Sequence, residues 1–177
     1  MNISDIKAQI PDYAKDIRLN LSNVLSEAGS PQLSTTQLWG TALACAHACG
    51  VKALVDMVTT EGGEILDDSL LQAAKSASAI MGMNNIYYRF LHLSSNNDYA
   101  QMPARLRMTV IGNPGIDKVD FELFSLAVSA INGCGMCIDS HEMVLQKAGL
   151  KSAVIQDAVR IASVMHAAAA VLKVEAE

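Results

Sequence analysis

Apolar positions recur along the chain at helical spacing, interrupted by a few clear stops. After Pro11, which suits an opening turn, Tyr13, Ile17, Leu21, Val24 and Leu25 predict a first helix ending near Gly29, before Ser30 and Pro31. Ser34 and Gln37 form a capping-box signature ahead of Leu38, Trp39, Leu43 and Ala46, so a second helix is expected to about Cys49 and Gly50. A short third helix should stop before Gly62 and Gly63. Asp67 or Asp68 then caps a longer helix through Leu70, Leu71, Ala74, Ala77, Ala79 and Met83 towards Tyr88. Loop chemistry follows from Leu93 to about Pro103, and a turn signal comes at Asn113, Pro114 and Gly115. Three further helices are expected over about 119–132, 134–148 with Gly149 as C-terminal cap, and 152–174. The alanine-rich text leaves few β-branched runs for strands, and the predicted class is all-α.

The halves of the chain also resemble each other faintly. Leu38, Trp39 and Ala42 align with Leu123, Phe124 and Ala127 at a spacing of 85, which also lays Cys49 and Gly50 on Cys134 and Gly135. Leu71, Gln72, Ala74 and Met81 match Ile155, Gln156, Ala158 and Met165 at a spacing of 84. The expectation is one domain over 1–177, with pseudo-repeats at about 35–90 and 119–174 and an N-terminal helical segment over 1–30. At this register the first half has Lys52 in place of Cys137 and Asp56 in place of His141.

Composition narrows the function. With 51% hydrophobic and 18% charged residues, the 177-residue chain has the apolar surface for a substantial core and is not a disordered segment. A net charge of -5 is the wrong sign for binding phosphate backbones or anionic lipid, so neither nucleic acid nor a membrane surface is an expected partner. The longest wholly apolar run, Ala167 to Leu172, is far short of a bilayer span, and the charged N-terminus lacks the apolar run of a secretory signal. The expected compartment is the cytoplasm, where four cysteines in a chain of this size suggest catalysis, metal binding or burial rather than structural disulfides.

One segment concentrates the chemistry: Cys134-Gly-Met-Cys137-Ile-Asp-Ser-His141, with Glu122 upstream. A Cys-x-x-Cys pair after Gly133 falls at a helix start, where unpaired N–H groups and the helix dipole favour thiolate. Cys137 and His141, four apart, share a helical face, so the imidazole can take the thiol proton. Two thiols three apart can also close a disulfide where the geometry permits, and peroxide attack followed by condensation completes such a redox cycle. Glu122 could orient the imidazole or relay a proton, although a glutamate in the first turn of a helix is favoured by the dipole alone. Position and base point to different nucleophiles: thioredoxin-like motifs use the first cysteine, while His141 is in register with the second.

Other readings compete. A zinc site could draw on Cys134, Cys137 and His141 with Cys45 or Cys49 as fourth ligand, although Cys45 and Cys49 read more simply as small core residues. His47 lies on a different face from both, His166 reads as a packed or interface histidine, and Met81, Met83, Met108 and Met165 fall at core-like places.

These residues resemble the alkylhydroperoxidase D (AhpD) family, within the carboxymuconolactone decarboxylase-like superfamily. The pattern of a glutamate, eleven residues, then Cys-x-x-Cys-x-x-x-His is met by Glu122, Cys134, Cys137 and His141, and similarity extends through Tyr13 to Leu21, Gln37 to Ala44, Ala79 to Asn85 and Leu106 to Ile116. The resemblance implies an all-helical fold with an internal duplication, assembled as a homotrimer or related oligomer. It implies a thiol peroxidase that reduces organic hydroperoxides or passes electrons to a peroxiredoxin (AhpC). Its disulfide would be re-reduced through a dihydrolipoyl protein, with no metal or flavin bound to this chain. By that resemblance Cys137 attacks the peroxide, Cys134 resolves, His141 is the base and Glu122 belongs to a proton relay. Met136 departs from the pattern, standing where relatives can carry a relay histidine, and a smaller or more Glu122-dependent activity is expected. Enzymes of the decarboxylase branch, acting on a lactone acid by proton transfer, are the remaining alternative, one with no evident use for paired thiols.

Overall fold

The computed structural model describes residues 1–176, and among them all regular structure is helical. Two short N-terminal helices, α1 (Ile3–Ala8) and α2 (Lys15–Val24), lead into α3 (Thr35–Cys49), α4 (Lys52–Gly62) and α5 (Asp68–Leu93). Two single turns, α6 (Asp98–Gln101) and α7 (Thr109–Gly112), cross to α8 (Lys118–Ile131), α9 (Gly135–Lys147) and α10 (Ser152–Glu175).

Local sequence explains most boundaries. Ser34 and Gln37 make the expected reciprocal capping box, and Gly50, at φ 68°, closes α3 in a left-handed conformation that suits glycine. Asp67, not Asp68, caps α5 by accepting from Leu70 N–H, and Asp117 caps α8 by accepting from Val119 N–H.

The N-terminal expectation needs correction. An additional helix, α1, precedes Pro11, capped by a box of Asn2 and Asp5. The chain then makes a single 3₁₀ turn at Asp12–Ala14 before α2, which ends at Val24 rather than near Gly29. Hydroxyls end it early: Ser26 Oγ donates to Asn23 O and accepts from Gly29 N–H, while Ser30 Oγ donates to Val24 O. Tyr13, read as part of the apolar stripe, is exposed and donates its phenol to Glu175 at 2.9 Å.

Helices α3 and α8 form the centre of the molecule. Residues 40–46 of α3 and 121–129 of α8 are buried without interruption, which removes any solvent face from these stretches. They approach closely because Gly40 has no Cβ where the ring of Phe124 lies. Both pack against α5 and α10, α4 lies on α3, and α9 lies on α8 and α5. A satellite apolar cluster of Leu123, Leu126, Leu145, Ile155 and Ala158 fastens α8, α9 and α10 together.

By length and composition α10 is apolar enough to cross a bilayer. In this fold it is a core helix, with Ile155, Ala158, Ile161, Ala162, Met165, Ala168, Ala169 and Leu172 buried in protein. Its buried Asp157 accepts from Arg160 and from Gln32 N–H, tying α10 to the loop before α3.

Candidate active site

The end of α8 sets the site. Its last residue is Ile131, and Gly133, at φ 66°, turns the chain so that Cys134 leaves the helix and becomes the N-cap of α9. In that position Cys134 Sγ accepts from Cys137 N–H at 3.3 Å, a sulfur doing what a serine hydroxyl does at other N-termini. Cys134 was expected inside this helix; as its cap it meets the unpaired N–H groups directly. The two cysteines form a disulfide, their Cα atoms 5.3 Å apart.

Beside it lies a buried pair. His141 Nδ1 and Glu122 Oε2 are 2.6 Å apart, with Glu122 only 3% exposed and His141 7%. Glu122 lies in the second turn of α8, not its first, so the helix dipole does not account for it. The carboxyl group of Glu122 fixes the orientation of the His141 ring through Nδ1. Its Nε2 lies 3.2 Å from Met81 Sδ on α5.

Cys137, Glu122 and His141 line one cavity of about 390 Å³, together with Met81, Asn84 and Tyr88 of α5, Met108 and Ile111 around α7, and Met136, Ser140 and Val144 of α9. Cys137 is 5% exposed; Cys134 is fully buried and is not among the described residues lining the cavity. The disulfide, the His141–Glu122 pair and an apolar pocket therefore meet in one place. In this oxidised form the imidazole is bonded to Glu122 and Met81 while Cys137 is bonded to Cys134. The thiol–imidazole pair anticipated from the i,i+4 spacing shares a helical face and a cavity without a bond between its members.

The remaining cysteines are different. Cys45 and Cys49 are buried and free, and burial pushes the Cys45 thiol well up and that of Cys49 up to about 11, so both stay protonated and unreactive near neutral pH. Among the described residues no group of three or more His, Cys, Asp or Glu side chains is arranged to hold a metal ion. His166, expected to be a packed or interface histidine, is exposed on the outer face of α10, which leaves the interface alternative.

The residues missed from sequence come mainly from α5. Met81 had been assigned to the core; it is 1% exposed, yet its sulfur faces His141. Asn84 and Asn85 are both buried, and the visible signal was an adjacent amide pair inside a helix built of small and apolar residues. Asn85 is fully engaged: its Nδ2 donates to Ser129 Oγ and its Oδ1 accepts from Asn132 Nδ2, both at 2.9 Å. Arg89 donates to Asn132 O at 2.5 Å, so α5 holds the end of α8 just before Gly133.

Comparison with known proteins agrees with this geometry. The chain is 54% identical over 176 residues to the alkyl hydroperoxide reductase AhpD of Rhodospirillum centenum, covering 99% of this chain and 93% of the relative. It is 55% identical over 175 residues to that of Maricaulis maris, covering 99% of both chains, and 54% identical over 169 residues to that of Coxiella burnetii, covering 96% of both. This chain belongs to the AhpD family. Residues 97–176 also match the carboxymuconolactone decarboxylase family, and this stretch contains the Cys-x-x-Cys pair, His141 and Glu122. The all-helical AhpD fold thus places its paired thiols where α8 ends and α9 begins.

Proposed function

We infer that this protein is a thiol-dependent alkyl hydroperoxide reductase that cycles through a Cys134–Cys137 disulfide. One observation carries the reading: a disulfide at a helix N-terminus has one of its sulfurs, that of Cys137, in an apolar cavity that also holds a buried His141–Glu122 pair. The names of full-length relatives at 54–55% identity support it.

The cycle assigned to these residues is as follows. The Cys137 thiolate attacks the terminal oxygen of a hydroperoxide, the O–O bond breaks, and Cys137 becomes sulfenic acid. His141, held by Glu122, takes the thiol proton and returns it to the departing alkoxide, which leaves as an alcohol. Cys134, whose thiolate is favoured by the N–H groups at the start of α9, then attacks the sulfenic sulfur, and the disulfide closes as the S–O bond breaks and the hydroxide leaves as water with the proton that Cys134 gave up. An external dithiol supplies two electrons to reopen it, and a dihydrolipoyl protein is the proposed donor. Electron transfer onward to a peroxiredoxin, a cytoplasmic location, assembly as a homotrimer and origin of the two halves by internal duplication belong to the same reading. The exposed apolar side chains Ile86, Phe90, Leu93, Tyr99 and Met102, clustered over the end of α5 and α6, support an oligomer surface. Met136 lines the cavity and cannot carry a proton, so Met136→His is expected to raise turnover; no gain would remove the proposed deficit.

The test is peptide mass spectrometry on reduced protein treated with one equivalent of cumene hydroperoxide. The expected products are a Cys134–Cys137 disulfide in the natural protein and a sulfenic acid at Cys137 in Cys134→Ser. Thiols that stay reduced would overturn the reading.

A further inference from the structure

The two adjacent buried asparagines of α5 have opposite fates. Asn85 spends its amide on Ser129 and Asn132 and is a structural residue. Asn84 is 5% exposed and lines the cavity, yet its Oδ1 has no hydrogen-bond partner among the described residues. A buried carboxamide without a partner is unfavourable in a folded protein and needs a reason. Its position supplies one, because the backbone carbonyl of the same residue lies 4.0 Å from Cys137 Sγ. A half-turn of the carboxamide exchanges its nitrogen and oxygen, so the acceptor can be presented to whatever binds beside that sulfur.

A hydroperoxide bound for attack has one O–H to place. Its terminal oxygen, the atom Cys137 strikes, carries that hydrogen, while the inner oxygen leaves with the organic group and needs a proton donor. His141 is on the cavity wall to serve the leaving oxygen; of the other lining groups, Met81, Met108, Ile111, Met136 and Val144 offer no strong acceptor for the O–H, Glu122 is engaged with His141, Tyr88 is turned to Met108 Sδ, and the Ser140 hydroxyl is the one competing acceptor.

We propose that Asn84 holds the hydroperoxide for reaction: its carboxamide oxygen accepts the O–H of the terminal oxygen and aims that oxygen at Cys137 Sγ. The S–O bond forms as the O–O bond breaks, the hydrogen stays on the oxygen that becomes the sulfenic acid, and the alkoxide takes its proton from His141. This assignment rests on the peroxidase reading above and adds a substrate-contacting residue to it.

The experiment compares natural protein with Asn84→Leu and, as a second variant of smaller volume, Asn84→Ala, each checked for helical content by circular dichroism. Three rates are measured: oxidation of Cys137 by cumene hydroperoxide in rapid-quench mass spectrometry, alkylation of reduced Cys137 by iodoacetamide, and reopening of the disulfide by dithiothreitol. The expected result is a roughly tenfold fall in peroxide oxidation, the size set by one lost hydrogen bond, with the other two rates unchanged. Unchanged peroxide oxidation in either folded variant would overturn the proposal. So would an equal fall in alkylation, since the residue would then act on the thiol and not on the substrate. A natural protein that does not react with the peroxide at all overturns the underlying reading, and that result is distinguishable because it appears before any substitution is made.

Discussion

The segment α3–α4 and the segment α8–α9 pose the same sequence problem and solve it differently. At a spacing of 85, Gln37 falls on Glu122, Cys49 on Cys134, Lys52 on Cys137 and Asp56 on His141. In the first segment the helix runs on through Cys49 to Gly50, which leaves Cys49 a buried core thiol raised to about 11. In the second, α8 ends at Ile131, the position equivalent to Ala46, Gly133 turns the chain, and the matching cysteine is released to cap the next helix. Gln37 is used up in a capping box and a bond to Asp120, whereas Glu122 is buried against His141. Lys52 and Asp56 pair with each other at 2.6 Å on the surface, while Cys137 and His141 face a cavity. Chemistry here follows from where a helix stops and which face turns inward, not from the motif's spacing.

The strongest attempt to break this comparison is to move the motif. In a Cys137→Ser background, which should itself lose peroxide turnover to the uncatalysed level, Lys52→Cys with Asp56→His writes the full Cys-x-x-Cys-x-x-x-His text into the first segment. The expected outcome is no recovery in a coupled peroxide assay. The grafted thiol would lie exposed in the first turn of α4, where the helix dipole alone favours thiolate, but without a buried acid, a cavity or an N-cap cysteine. Turnover above background would show that spacing alone suffices.

Next in size is the buried pair. Glu122→Gln keeps the shape and removes the charge that orients His141, so turnover of cumene hydroperoxide should fall about 10²-fold or more, within the range general acid–base groups supply. Urea unfolding of the same variant separates this from lost stability. A variant with wild-type turnover would make the acid a structural residue and bring the two segments closer in kind.

A smaller effect tests the helix end itself. Gly133 and Gly50 have φ of 66° and 68°, and an added Cβ at either would meet nothing within 4 Å, so alanine brings backbone strain without a clash. Each substitution should destabilise by about 1–2 kcal/mol in urea unfolding. Only Gly133→Ala should also slow disulfide closure, because only that turn presents a reactive cysteine. Equal kinetics for the two variants would count against the helix end as the deciding feature.

The sequence made some of this legible for a physical reason. Cys137 and His141 sit on one helix that Cys134 caps, where spacing translates directly into neighbourhood, and their AhpD-like pattern with Glu122 completed the set. The capping box of Ser34 and Gln37 was readable on the same grounds; that of Asn2 and Asp5 was not, because it introduces a helix too short to show a periodic face. Met81, Asn84, Tyr88 and Met108 were not assigned to the site because they reach it across the fold from α5 and the α7 turn. No local spacing carries that information, and a buried methionine reads as core until its sulfur is seen against an imidazole. Likewise the early end of α2 depends on Ser26 and Ser30 bonding backward to the helix, a choice that the apolar stripe does not record.

The smallest effect concerns the pair that replaces the redox residues. Lys52 and Asp56 are four apart on α4 with their side chains 85% and 42% exposed, so the ion pair is solvated on most sides and screened by salt. Lys52→Ala should therefore lower stability by only about 0.3–0.5 kcal/mol in urea unfolding at low salt, a difference that shrinks at high salt. Peroxide turnover should not change. A loss above about 1 kcal/mol that persists in salt would instead mean that the lysine stem packs against the fold as Cys137 does in its own half. The first segment would then hold an inward-facing position, and the contrast between the halves would rest on helix ends and residue identity alone.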